Sequence, residues 1–200
     1  MKNQLTFSYI DSFGVPRCGC PSLVRDDGEL NKWGINHLTY FIRNRDDDIE
    51  PQDWDTVIEQ AFNAWSSVAD LSFEKTEDES ANVMIDIGKG QEYHFDGPMG
   101  TLAWAYLPPK DDYQDQLLMR FDTDEIWSSS MSRAGILLLN VATHEIGHIL
   151  GLTHSEVPKA LMAPNYNPMI KEPQKDDDIL RIQSLYGEKN EQDKRDNKGK

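Results

Sequence analysis

The sequence predicts an α+β domain of five strands and three helices, and three observations carry that prediction. Five short runs, at residues 37–43, 71–76, 81–87, 101–107 and 117–122, are rich in apolar, β-branched and aromatic side chains, and the clearest of them alternate with the period of two that a strand imposes. Three longer segments repeat their apolar residues every three or four positions, as a helix with one buried stripe does. A hydrophobic content of 38% over 200 residues is enough for one principal core with flanking sequence.

Residues 1–30 are punctuated by glycine, proline and aspartate and are too few to fold alone. The first strand, His37 to Arg43, turns Leu38, Tyr40 and Ile42 to one face, with His37 an ordinary residue at its end. Asp53 is placed to cap a helix running to Ala69, because Trp54, Val57, Ile58, Ala61, Phe62, Trp65 and Val68 recur at helical spacing. Leu71 to Thr76 and Ala81 to Ile87 follow as strands, the second alternating Val83, Ile85 and Ile87 against Met84 and Asp86. Beyond a loop through Phe95-Asp96-Gly97, Thr101 to Leu107 and Leu117 to Asp122 read as the last two strands. A second helix starts near Ser132 and carries Ile136, Leu137 and Val141 inward. The third spans Asp176 to Tyr186, with Ile179, Ile182 and Leu185 inward and three aspartates at the end the helix dipole favours for acids. Residues 188–200 have almost no apolar content and read as a disordered tail.

A formal net charge of -15 argues against a nucleic-acid partner, because phosphates would be repelled. No apolar run approaches the roughly 20 residues that span a bilayer, and Met1-Lys2-Asn3-Gln4-Leu5-Thr6 leads into no apolar stretch, so no signal peptide is visible. Cys18 and Cys20 are the only cysteines and lie too close in sequence for an ordinary cross-link, so the core is not stapled by disulfides.

The second helix runs into Thr143-His144-Glu145-Ile146-Gly147-His148-Ile149-Leu150-Gly151-Leu152-Thr153-His154, which has the form H-E-x-x-H-x-x-G-x-x-H. Positions four apart share a helix face, so His144 and His148 can offer imidazoles to one cation with Glu145 beside it. Gly151 tolerates the left-handed backbone that closes a helix, and the turn it permits returns His154 as a third nitrogen ligand. Three imidazoles around a tetrahedral zinc leave one position for water, whose pKa the metal lowers to roughly 7. The bland alternative is three histidines packed on an apolar helix. It requires that spacing, Glu145 and Gly151 to coincide by chance in a chain with five histidines.

Here the sequence resembles the metzincin metalloproteinases, whose second hallmark, a methionine in a tight turn beneath the zinc, is matched by Met162 in Ala160-Leu161-Met162. Ser155 after the third ligand matches the matrix metalloproteinases, or matrixins, whereas astacins carry glutamate there and adamalysins aspartate. Pro164 stands where astacins place a tyrosine. Pro16-Arg17-Cys18-Gly19-Cys20-Pro21 looks like the matrixin cysteine switch, with Cys18 matching the propeptide thiolate that takes zinc's open position and keeps the enzyme latent. The family's aspartate after the second proline, which pairs with the arginine, is Ser22 here, so Arg17 is expected to find another carboxylate such as Asp26 or Asp27. The resemblance divides the chain into a propeptide remnant over 1–30, a catalytic domain over 31–187 and a tail over 188–200. It implies a zincin-type fold, a twisted five-stranded and mostly parallel sheet with three helices, in which the strand from Thr101 runs along the active-site cleft and binds substrate by strand addition.

What the resemblance implies chemically is a zinc endopeptidase with Glu145 as general base. The pocket for the residue after the cut bond would be formed by Asn140, Val141, Pro164 and Tyr166, which suits a bulky apolar side chain. The family's structural calcium would be held by Asp96, Asp122 and Glu125 and by the backbone carbonyls of Gly97, Met99 and Thr101, with Met99 where a glycine is usual. Asp177 and Asp178 match the paired aspartates that receive a new N-terminus on activation, and the cut is expected between Leu23 and Asn31. A second, structural zinc is expected to be absent, because its matching positions are Lys89, Gln91, Trp104 and Arg120, and only His37 and His94 remain outside the motif. Arg120 over the Trp104 indole would pack that surface instead. The expected protein is a secreted monomer that acts on protein or peptide substrates. The alternatives are a metzincin of another branch and a catalytically silent zinc-binding interaction module.

Overall fold

The first extended residues of the chain are Arg17–Cys18 (β1). They are followed by His37–Ile42 (β2), Ser72–Lys75 (β3), Val83–Gly88 (β4), Thr101–Ala105 (β5) and Leu117–Asp122 (β6), and the six strands form one sheet in the order β1-β5-β6-β4-β2-β3. The computed structural model describes residues 16–20, 31–108, 115–131 and 134–189. All five expected strands are present, and all neighbours run parallel except β5 and β6. The sixth strand is the addition: the cysteine-bearing arm itself joins the sheet beside β5, with Cys18 opposite Ala103. Backbone N–H and C=O groups on a sheet edge attract any extended segment within reach, and here that segment is the chain's own.

The alternation expected of β4 does not become an inside and an outside. Val83, Ile85 and Ile87 are buried on one face, and Met84 and Asp86 are also buried on the other. Asp86 tolerates this because Arg120 reaches its carboxylate at 3.3 Å and Arg43 at 3.8 Å.

Pro51–Ser66 forms the first helix (α1), burying Trp54, Val57, Ile58, Ala61, Phe62 and Trp65. Its entry differs from expectation. Glu50 is the N-cap without a side-chain hydrogen bond, and Pro51 opens the helix, where its missing N–H costs nothing. Asp53 lies in the first turn and complements the dipole rather than capping. The second helix, Leu138–Ile149 (α2), starts later than Ser132. Gly135, at φ +128°, and the pairing of Trp127–Ser128 (β7) with Ile136–Leu137 (β8) hold the approach extended. Ser132 itself lies outside the described residues. The third helix, Leu180–Tyr186 (α3), is preceded by one wide turn over Lys175–Ile179.

Neighbouring side chains anchor α2 through its carbonyls. The Trp65 indole donates to Thr143 O and the Trp33 indole to Ile149 O, both at 2.8 Å, while the Tyr186 hydroxyl donates to Leu150 O at 2.9 Å. The last carbonyls of a helix have no partner inside it, so the Trp33 and Tyr186 bonds satisfy groups that burial would otherwise strand.

Candidate metal centre

The motif helix ends as its glycine requires. Gly151 sits at φ +101°, and a Cβ there would overlap Asn31 O. The chain then turns back, so that the ligand atoms of His144, His148, His154 and Cys18 all lie within 4.8 Å of one another. Nε2 of His144 and Nε2 of His148 are 3.1 Å apart, and Cys18 Sγ is 3.4 Å from the latter. Each helical imidazole is held from behind: His144 Nδ1 donates to Leu161 O and His148 Nδ1 to Leu152 O, both at 2.7 Å. Those bonds put the proton on Nδ1 and leave the Nε2 lone pair facing the centre, the arrangement a metal ligand needs. Burial lowers the pKa of His144 to about 4 and of His154 to about 3, and it holds His148 well below its ordinary value. Neutral imidazoles and a thiol around one point are a zinc donor set.

Glu145 is wholly buried beside them, and its carboxylate oxygens make no hydrogen bond of ordinary geometry. Burial raises its pKa to about 8, which the neighbouring Cys18 thiol partly opposes. Cys18 is itself raised well above the usual thiol value, chiefly by burial and then by Cys20 and Glu145.

Beneath the histidines lies Met162, fully buried. A Cβ at Gly147 would stand 2.4 Å from Met162 Sδ and 3.0 Å from the Trp65 ring, so the glycine inside the helix is what lets the methionine turn approach. The turn is held by Asp178, whose carboxylate accepts from Leu161 N at 2.7 Å, Met162 N at 3.1 Å and Gln174 N at 2.7 Å. Asp177 and Asp178 share the turn before α3, where Asp178 is buried and points back to the loop that orients His144, while Asp177 stands 3.7 Å from Arg181.

The arm enters as an extended strand between two walls. Arg17 N donates to Gly100 O and Gly19 N to Ala103 O on the β5 side, while Cys18 N donates to Pro164 O and Tyr166 N to Pro16 O on the other. Gly19 is needed at the first wall, since a Cβ there would stand 2.3 Å from the Thr101 side chain. Below the arm, Asn140, Val141, Pro164 and Tyr166 line one pocket with Leu102, of about 380 Å³ counting its open mouth. Asn140 Nδ2 donates to Asn167 O at 3.1 Å and also to Ile170 O, tying the loop across the pocket, and the Tyr166 hydroxyl accepts from Leu137 N.

The matrixin family model matches residues 32–187. The chain belongs to the matrixin family. It is 40% identical over 178 residues to the interstitial collagenases of Equus caballus and Sus scrofa, an alignment that takes in 86% of this chain and 37% of each relative. It therefore spans little more than a third of the length of these relatives.

Two further clusters bear on metals in this matrixin domain. Asp96, Asp122 and Glu125 converge on the loop 97–101: Asp96 Oδ1 accepts from Thr101 N at 2.6 Å and Glu125 Oε1 from Met99 N at 2.5 Å. Asp122 is fully buried, and its Oδ2 has no hydrogen-bond partner. Burial, then repulsion from neighbouring acids, raises Asp122 to about 6 and raises Glu125 as well. Three carboxylates, one of them buried with an unpartnered oxygen, are a donor set of the hard kind that calcium takes. Met99 takes φ +62°, the left-handed conformation that a glycine would adopt without strain.

Arg17 finds its carboxylate here. Its NH2 lies 2.7 Å from Asp96 Oδ2, while Asp26 and Asp27, the carboxylates expected for it, lie outside the described residues. A partner 79 positions away carries no local signal in the sequence.

At the positions matching the family's second zinc, Trp104 and Arg120 are opposed in register on β5 and β6. The Arg120 guanidinium lies 5.4 Å from the Trp104 ring and 4.6 Å from that of Tyr93, which sequence reasoning missed. Trp104 Nε1 donates to Tyr93 O at 2.8 Å and His94 packs edge-on to Trp104, while His37 lies exposed on β2, hydrogen-bonded to Ser72.

Proposed function

We propose that the chain is the peptidase domain of a secreted zinc endopeptidase, kept latent by the arm around Cys18. The observation that carries this reading is the buried Glu145 carboxylate set beside three imidazoles whose ring nitrogens converge. His144, His148 and His154 would hold the zinc, with Cys18 in the fourth position of the latent form. Bound zinc polarises a carbonyl and acidifies water.

The chain's own groups supply the rest. Glu145 takes a proton from the attacking water and returns it to the leaving amine. Leu161 O and Leu152 O keep the two helical imidazoles in the ligating tautomer. The edge of β5, now paired with the arm, would take an extended substrate by strand addition. The pocket bounded by Leu102, Val141 and Tyr166 favours a bulky apolar side chain after the cut bond. The acidic loop would bind one structural calcium, and the Trp104–Arg120–Tyr93 stack would serve in place of a second zinc, leaving one zinc per chain.

Casein hydrolysis by the activated protein tests the reading. It should be abolished by 1,10-phenanthroline and should fall by roughly 10³-fold or more in Glu145→Ala, with zinc content and circular dichroism unchanged. Near-normal hydrolysis by pure mutant would sink the assignment.

A further inference from the structure

The inhibitory arm and the acidic loop share a residue. Asp96 gives Oδ1 to Thr101 N and Oδ2 to the Arg17 guanidinium, each partner about a quarter exposed. The same carboxylate is one of three acids around the loop, and it helps raise both Asp122 and Glu125. Among the described residues Arg17 is the guanidinium that neutralises part of this cluster, and it arrives with the arm. The arm's backbone docks on the same loop, through Arg17 N on Gly100 O.

We propose that Arg17 and calcium compete for Asp96, so that docking of the arm weakens calcium binding and calcium binding loosens the arm. A divalent ion at the cluster would sit next to a guanidinium already bonded to one of its ligands, and like charges at that range repel. With Arg17 withdrawn, Asp96 Oδ2 regains its lone pairs for the metal. The antagonism is reciprocal by thermodynamic linkage: whatever factor the docked arm takes from calcium affinity, calcium takes from docking. The inference rests on the latency and calcium readings above, and deepens both by making calcium a regulator of the switch.

Calorimetric titration of calcium chloride into the zinc-loaded full chain and into Arg17→Ala tests it. The mutant should bind calcium roughly fivefold more tightly. In the unmutated chain, saturating calcium should speed alkylation of Cys18 by iodoacetamide by a similar factor, read by peptide mass so that Cys20 is counted separately, and in Arg17→Ala it should not. Equal calcium affinity in the two proteins overturns the competition while leaving the calcium site standing. Weaker binding by the mutant overturns it in favour of an arm that assists the metal. No calcium binding by either protein removes both the site and the competition, and leaves the zinc peptidase reading untouched.

Discussion

Asp122 shows how one buried group sets a pH window. Its carboxyl is raised from 3.8 to about 6 by burial and by the neighbouring acids, so between those values the folded chain holds a proton that the unfolded chain has released. Stability conferred by that proton is present at low pH and is lost as pH rises through about 6, at a cost on the order of 2–3 kcal/mol once the group is charged without a partner. Calcium reverses the sign by binding the charged form. Protein stripped with EDTA and reloaded with zinc alone should therefore gain little melting temperature from calcium at pH 4 and several degrees at pH 7. A calcium increment that does not grow over that interval would show that Asp122 is not among the ligands.

Between single residues and the sheet, the joint that matters most runs from α3 through the methionine turn to α2. Asp178 accepts three N–H groups, and one of them belongs to Leu161, whose carbonyl fixes His144. Asp178→Ala would leave Leu161 N and Met162 N buried, and Gln174 N half-buried, without this acceptor, so unfolding in urea should show a loss of roughly 3–5 kcal/mol. A loss below about 1 kcal/mol would mean that the turn is held by packing alone. The spacing H-E-x-x-H-x-x-G-x-x-H announced the gathering of His144, His148 and His154 and the helix stop at Gly151, because each depends on positions at most ten apart. Periodicity likewise declared five strands and α1. Asp178 reaching Leu161, Arg17 reaching Asp96 and Arg120 stacking on Tyr93 were not legible, since each pairs residues distant in sequence. Even so, a glycine at position 147, inside a helix where it costs about 1 kcal/mol relative to alanine, was a readable sign of close approach. The start of α2 differs from the helical pattern for another reason: Ile136 and Leu137 fit a helical stripe, but Gly135 and the pairing with β7 make them extended.

At the scale of the whole molecule, the arm is held at several points at once. It pairs with the edge of β5, bonds to Pro164 and Tyr166 across the cleft, and sets Cys18 Sγ among the three imidazoles while Arg17 and Cys18 line the pocket mouth. These contacts act together, because Arg17 and Cys18 are adjacent and the backbone bonds alternate between the two walls. Cutting the chain beyond Cys20 turns this intramolecular docking into a bimolecular one, and the high effective concentration that holds a short arm in place is lost. Limited proteolysis that cuts between Leu23 and Asn31 should therefore release a peptide containing Cys18 and raise casein hydrolysis by roughly 10²-fold or more. The gain should appear in step with loss of the intact chain on a gel, and N-terminal sequencing of the active form should read a start inside that window. Full activity in the uncut chain, or an active form that retains Cys18 on the cleaved strand side, would show that the arm does not hold the enzyme latent.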